Sequence, residues 1–359
     1  MDDYCIYPVI NGSTFFIDDF PSPVPSGEAQ YITRDYNLTI KDFYTQVWWN
    51  DIYNLAVRHG IKYTGLVIEL YSDQISGVFP RNDDLERYHY FGNMLLSDGG
   101  EIGFHGYNHM PLVLQNWNYR GLYDTYKQWN SYEEMHDAFA ELQDFCRSLY
   151  PEEDFQVYVP PSNILSPEGR EMLAKDFPGI KSIASVYLPG DIAFDQEFNV
   201  SDDGMVNTPR IISGYVLDDY VYFAELSELN FHFVNTHFQH PDDVLDEDRG
   251  AELGWQEMFS RLEKLTDWLY SSAPDIRNLT GSELAAAVQR YDFIKLNRQE
   301  KEDTIILDLE NFKDEAWFFL RLNEGSKPGG ITNGEITKVA DGLYLVKANA
   351  DHVEIGVTK

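Results

Sequence analysis

From residue 14 to residue 292 the chain alternates short, β-rich apolar runs with longer stretches of helical periodicity. Strands joined through helices cannot pair as hairpins, so they lie parallel in one sheet with helices against its faces. The runs Thr14–Ile17, 61–70, Glu101–Phe104, Phe155–Val159, 182–188, 209–213 and 231–236 predict the strands. Between them, Thr39 to His59 predicts a helix with Thr39 as its N-cap and Gly60 just past its end. Residues 83–98 predict another, closed by Gly99-Gly100. Ser131 with Glu134 forms a capping-box pattern before a helix reaching about Leu149, and Ser166-Pro167 opens a helix with proline in its first turn. Trp255 to Tyr270 is amphipathic, and Thr280 with Glu283 caps a last helix through about Gln289. This rhythm predicts an α/β fold over residues 1–296, its parallel sheet closed into a (β/α) barrel.

After Asn297 the rhythm changes. Thr304–Leu309, Trp317–Leu322, Gly342–Val346 and His352–Val357 read as strands separated by Gly and Asn turns. Residues 297–359 are therefore expected to form a small, sandwich-like all-β module, with the charged stretch 297–303 as the linker.

Charge excludes several partners. The 359 residues carry 27 Lys plus Arg against 60 Asp plus Glu, a formal net charge of -33. No basic stripe is present to displace counterions from nucleic acid, and an anionic membrane surface would repel the chain. No run approaches the ~20 apolar residues that cross a bilayer, so this segment is expected not to insert into a membrane. The first residues, MDDYCIYPVI, lack the basic, apolar and small-residue order of a signal peptide. Cys5 and Cys146 are too few for a disulfide framework. A neutral or cationic partner fits this charge, and aromatic residues at 15% suit either a core or a sugar-binding surface.

Four polar clusters follow four predicted strands: Asp18-Asp19-Phe20-Pro21, His105-Gly-Tyr-Asn-His109, Pro160-Pro161-Ser162-Asn163, and His237-Phe-Gln-His240-Pro241-Asp242-Asp243. Parallel barrel strands open their C-terminal ends on one face, so these distant segments are expected to converge there. Two imidazoles and a carboxylate are a common three-ligand set for a catalytic divalent metal, which His105, His109 and one of the paired aspartates would satisfy. The second aspartate could then accept a proton from water, and a distal histidine held by its own carboxylate could protonate a leaving group.

These motifs resemble, in order, those of the polysaccharide deacetylases, the NodB-homology or carbohydrate esterase family four superfamily. The divergent Pel-type exopolysaccharide branch is the nearer likeness, and it covers about residues 12–292. The resemblance implies a deformed (β/α) barrel of NodB type and a divalent metal, usually Zn2+, with Co2+ or Ni2+ as substitutes. Asp18 corresponds to the catalytic base, Asp19, His105 and His109 to the metal ligands, and His237 to the general acid. The implied activity is hydrolysis of N-acetyl groups on an N-acetylhexosamine-containing polysaccharide or oligosaccharide. An extracellular location, a role in biofilm exopolysaccharide and contact with its biosynthesis machinery follow from the same likeness. Around this set, the backbone N–H of Tyr107 or Asn108 would face the oxyanion, Pro161 would shape the site, and Asp242 or Asp243 would orient His237. His240 is expected as a supporting group, or as a ligand together with His237. The pattern also departs from the family. Phe20 and Gly106 replace its Gly and its Ser or Thr, Asn235 replaces a leucine, and Val159 stands where an Arg orients the base. Asn163 or Arg210 could substitute for that Arg. Two other readings are a glycan-binding protein without turnover and an O-acetyl esterase.

Overall fold

The computed structural model describes residues 4–21, 27–123, 125–187, 190 and 192–358. Among these residues, a nine-stranded sheet has the order Asn199–Val200, Val206–Asn207, Ser182–Ile183, Val157–Tyr158, Glu101–Gly106, Tyr63–Ile68, Gly12–Phe20, Val234–Gln239 and Ile212–Ser213. Its pairs are parallel except for the edge pair formed by the first two strands. Gly12–Phe20, Tyr63–Ile68 and Glu101–Gly106 are buried at every position, the pattern of a parallel sheet covered on both faces.

The sheet curls until one stretch of chain serves both of its edges. Residues 206–213 bond on one side to residues 183–187, through Thr208 N to the Ile183 carbonyl (3.1 Å) and Arg210 N to the Ser185 carbonyl (2.9 Å). On the other side Ile211 N reaches the Thr236 carbonyl at 3.0 Å, and Ile212–Ser213 pairs with His237–Phe238. That divided bonding explains why the strands expected over 182–188 and 209–213 shorten to Ser182–Ile183 and Ile212–Ser213.

The helical signals position the sheet's covering layer. Thr39 accepts from Asp42 N, and the chain is helical from Ile40 to His59, relaxing to a π-turn over Tyr44–Trp48. Ser131, Ser166 and Thr280 cap Tyr132–Leu149, Pro167–Asp176 and Gly281–Phe293, each accepting from the third residue of its helix. One helix, Asp219–Phe231, gave no apolar periodicity because the usual pattern is inverted, with Glu225 and Glu228 buried on its inner face and aromatic residues on its outer one. Leu229 packs inward while Tyr220, Phe223 and Phe231 stay exposed.

The remaining strands form two four-stranded antiparallel sheets. One joins Tyr4–Val9, Ala316–Leu322, Leu343–Ala348 and Gly334–Ala340; the other joins Lys295–Lys301, Thr304–Glu310, His352–Thr358 and Lys327–Thr332. They enclose a core of their own that includes Ile305, Leu307, Phe318, Leu320, Val346 and Ile355. The stretch expected as a linker, 297–303, is instead mostly strand: Lys295–Lys301 pairs with Thr304–Glu310 along an exposed sheet edge. Charged side chains suit such an edge because they discourage pairing with a second chain, and this is why it resembled a linker. The architecture is thus mixed α/β, a curled parallel sheet plus all-β sheets.

Candidate active site

All four polar clusters end on the same rim of the curled sheet, around a cleft of about 410 Å³ lined by Asp18, His105, His109, Tyr123, Arg210 and His240 among others. Asp18 and Asp19 both reach this region because the strand breaks its alternation there. The register against Tyr63–Ile68 shifts between Ile17 and Phe20, and Asp19 takes a left-handed φ of 56°. After Glu101–Gly106 the chain folds back sharply. A Cβ at Gly106 would lie 2.5 Å from the Asn108 carbonyl oxygen, so the residue type that departs from the resembled pattern is the one this turn requires.

Asp18 is 1% exposed, and Arg210 Nη1 donates to its two oxygens at 2.8 and 2.5 Å. Arg210 is itself fixed: Nη2 donates to Asn163 Oδ1 at 2.5 Å, Nε to the Ser185 carbonyl at 3.2 Å, and its guanidinium lies 3.9 Å above the Phe238 ring. Ser162 and Asn163 adopt left-handed φ values of 49° and 57°, local strain that aims the Asn163 amide at Arg210. Burial would raise the Asp18 carboxyl, but Arg210 foremost, with His105 and His240, outweighs it and holds the group ionised.

His240 Nε2 stands 3.6 Å from Asp18 Oδ2, and its Nδ1 stands 3.3 Å from Asp243 Oδ1. Burial alone would lower this imidazole. Asp243, then Asp18 and Asp19, overcome that and push it up to about 9, so it is cationic near neutrality. Arg249 Nη1 donates to Asp243 Oδ1 at 2.8 Å and lies 3.8 Å from Asp242. Burial first and then Asp19 lift Asp242 to about 6, against the opposing pull of His240 and Arg249.

Among the described residues, one group of three offers cation-ligand atoms close together: Asp19, His105 and His109, all within 4.8 Å of one another. The donor chemistry fits a divalent ion. His105 Nδ1 is 2.8 Å from the Val159 carbonyl, which accepts only from an N–H, so Nε2 carries the lone pair. That Nε2 and Asp19 Oδ1 are 3.4 Å apart, both buried and both without a hydrogen-bond partner. His109 Nε2 is 3.8 Å from the same oxygen, and its Nδ1 meets the Tyr126 hydroxyl at 2.9 Å. Burial pulls both imidazoles down to about 4, leaving them neutral and able to ligate.

The other expected residues lie apart from this centre. His237 is fully buried beneath it, its Nε2 2.9 Å from the Gly214 carbonyl, and burial lowers it to about 4. It supports the Gly214 turn, whereas His240 occupies the position facing Asp18. Asp243, expected as a partner for His237, holds His240 instead. Tyr107 is buried and donates through its hydroxyl to the Pro80 carbonyl at 2.7 Å. Pro161 opens the short 3-10 turn that carries Ser162 and Asn163. Arg249, Tyr126 and Tyr71, whose hydroxyl bonds Asp19, escaped the sequence reading. Tyr71 and Tyr126 sit on loops separated along the chain from Asp19, His109 and Ser162, and Arg249, though close in sequence to Asp243, belongs to no spacing that marks it.

Residues 1–345 match the family described as "Uncharacterised protein conserved in bacteria (DUF2194)", and the chain belongs to that family. No curated protein matches the sequence. Among solved structures, it is similar to PuuE allantoinase at 10% identity and a TM-score of 0.45, covering 78% of this chain and 90% of that one. It is also similar to the α-fucosidase of Thermotoga maritima (11% identity, TM-score 0.40, 98% and 96% covered). A GH30 endoxylanase from Clostridium papyrosolvens gives 11% identity and a TM-score of 0.36 with both chains fully covered. All three TM-scores fall below 0.5, so the chemistry has to come from this chain's own residues. These findings correct the resemblance drawn from the motifs. The family is DUF2194, and an allantoinase and glycoside hydrolases stand where a NodB-type deacetylase of the Pel branch was expected. The expectation of N-acetyl removal by carbon–nitrogen hydrolysis, in a zinc-dependent biofilm pathway, falls with it. The physical reason is that short motifs give residue types at strand ends, which unrelated chemistries on barrel-like folds share.

Proposed function

We propose that the cleft is the hydrolytic centre of a carbohydrate-acting enzyme that cleaves an oxygen-linked bond. In this reading Asp18 and His240 form the proton-transfer pair, and Asp19, His105 and His109 hold a divalent cation. The observation that carries the proposal is a buried, ionised carboxylate clamped by Arg210, 3.6 Å from a cationic imidazole and beside unpartnered ligand atoms. Buried charge is costly unless it is used or paired, and perturbed acid–base groups gathered in one cleft mark functional sites. A bound divalent ion would supply Lewis acidity beside the cleft.

The protein's own groups perform the proton transfers. Asp18, fixed by Arg210 and Asn163, accepts a proton from the attacking water. His240, kept cationic by Asp243, donates one to the departing oxygen. Arg210 prevents the Asp18 carboxylate from rotating away, and Arg249 does the same for Asp243. The walls mix rings with neutral polar groups, Tyr123, Tyr215 and Phe238 with Ser162, Asn163 and Ser213, which suits a polyhydroxylated ligand. A net charge of -33 favours an uncharged glycan over a polyanion.

The test is release of reducing sugar or aglycone from a panel of neutral polysaccharides and aryl glycosides by the cation-loaded protein. Asp18→Asn is expected to abolish release while keeping the cation. Absence of release by the wild type across the panel, or equal release by Asp18→Asn, contradicts the proposal.

A further inference from the structure

His109 differs from its fellow imidazole in how it is held. His105 leans on a main-chain carbonyl, which can only accept, so its tautomer is fixed. His109 leans on the Tyr126 hydroxyl, which can either donate or accept, at 2.9 Å. The direction of that bond is decided one step further out, where the same hydroxyl lies 2.6 Å from Ser162 Oγ. When Tyr126 donates to Ser162, its oxygen accepts from His109 Nδ1–H, and the Nε2 lone pair faces Asp19. When Tyr126 donates to His109 instead, the proton moves to Nε2 and the nitrogen cannot ligate.

The loop is built to keep this hydroxyl in place. The Tyr126 ring stacks on Tyr123 at 5.5 Å with 5° between planes and meets Tyr119 at 6.2 Å. Next to it, Lys127 makes an ion pair with Asp73 from the loop after Tyr63–Ile68. Ser162 is held in left-handed conformation by the turn that also aims Asn163 at Arg210. The two halves of the site, the cation ligands and the Asp18 clamp, are thus tied through one serine and one tyrosine.

We propose that Tyr126 is a positioning residue that selects the ligating tautomer of His109 and so sets the affinity of the cation site. The inference rests on the cation-bearing reading of the cleft given above. Hydrogen-bond partners behind metal ligands change affinity by about 10- to 100-fold when removed. The experiment is Co2+ titration of the purified full chain, read by calorimetry and by the visible absorption of the bound ion, with circular dichroism to confirm the fold. Tyr126→Phe keeps the ring stack and is expected to weaken Co2+ binding at least tenfold with an altered absorption band. Ser162→Ala, which removes the outer acceptor, is expected to shift both readouts in the same direction by less. Tyr119→Phe, whose hydroxyl reaches only the Lys127 carbonyl at 3.5 Å, is expected to match the wild type. Co2+ affinity and spectrum in Tyr126→Phe equal to the wild type would overturn this inference alone. Failure of the wild type to bind Co2+ would overturn it together with the cation-bearing reading.

Discussion

The curled sheet and the C-terminal sheets are held together by different physics. In the β module, alternation does the work: Thr304–Glu310 buries Ile305, Leu307 and Leu309 on one face and turns Thr304, Ile306, Asp308 and Glu310 outward or part way out. Its core is a set of apolar side chains, and among the described residues of 295–358 no charged side chain is buried. At the rim of the curled sheet the same chain buries Asp18, Asp19, Asp243, Arg210, His105 and His237. It also strains Asp19, Ser162 and Asn163 into left-handed conformations and leaves ligand atoms unpartnered. A region optimised for stability would not accumulate such features. Their gathering around one cleft is what the proposed function accounts for, with stability given up there in exchange for chemistry.

Perturbing each region should therefore have separable effects. The largest is expected from Asp18→Asn, which stops turnover while leaving the cation bound, as a product assay alongside metal analysis would show. Arg210→Met comes next. It leaves Asp18 buried without its cation and is expected to cost about 3–5 kcal/mol of stability in denaturant unfolding, together with activity. In the module, Leu307→Ala is expected to cost a comparable 2–5 kcal/mol by leaving a cavity, yet leave Co2+ affinity at the wild-type value. Should Leu307→Ala weaken the cation site, the separation of the two regions is wrong.

The contrast explains what the sequence could and could not reveal. In the module, period-two alternation survives in single strands, so Thr304–Leu309 and His352–Val357 were legible directly. In the parallel sheet, full burial erases alternation, but the turn and cap chemistry of Thr39, Gly60, Ser166 and Thr280 still marked the helices. The helix Asp219–Phe231 was invisible because aromatic residues cover its outer face while Glu225 and Glu228 are buried on its inner one, the reverse of an amphipathic pattern. At the site, Asp18-Asp19 and His105-xxx-His109 stood out because ligands on one turn are close in sequence. The choice between His237 and His240 was not legible. It depends on which imidazole the strand Val234–Gln239 turns into the sheet and which follows its end, three residues later. Arg210 reaches Asp18 across 192 residues, a pairing that topology alone creates.

A smaller effect should appear with pH. His105, His109 and His237 are all lowered in the fold to about 4, from an ordinary value near 6.5. The unfolded chain binds the extra protons between those values, so stability should fall as pH drops from about 6.5 through 4. His240 has the opposite sign. Raised to about 9, its contribution is present below about 6.5 and is lost as pH rises through 9. Melting temperature followed across pH should show both limbs, and His240→Gln should remove the alkaline one. Smallest of all, Thr280→Ala removes a cap remote from the cleft and is expected to cost about 1 kcal/mol with no change in turnover.

The most direct measurement is the cation stoichiometry of the purified protein after loading and dialysis, by elemental analysis, for the wild type beside Asp19→Ala and His105→Ala. One divalent ion per wild-type chain and essentially none in either variant is the expected result. A wild type that retains no ion, or an Asp19→Ala variant that retains as much as the wild type, would contradict the account.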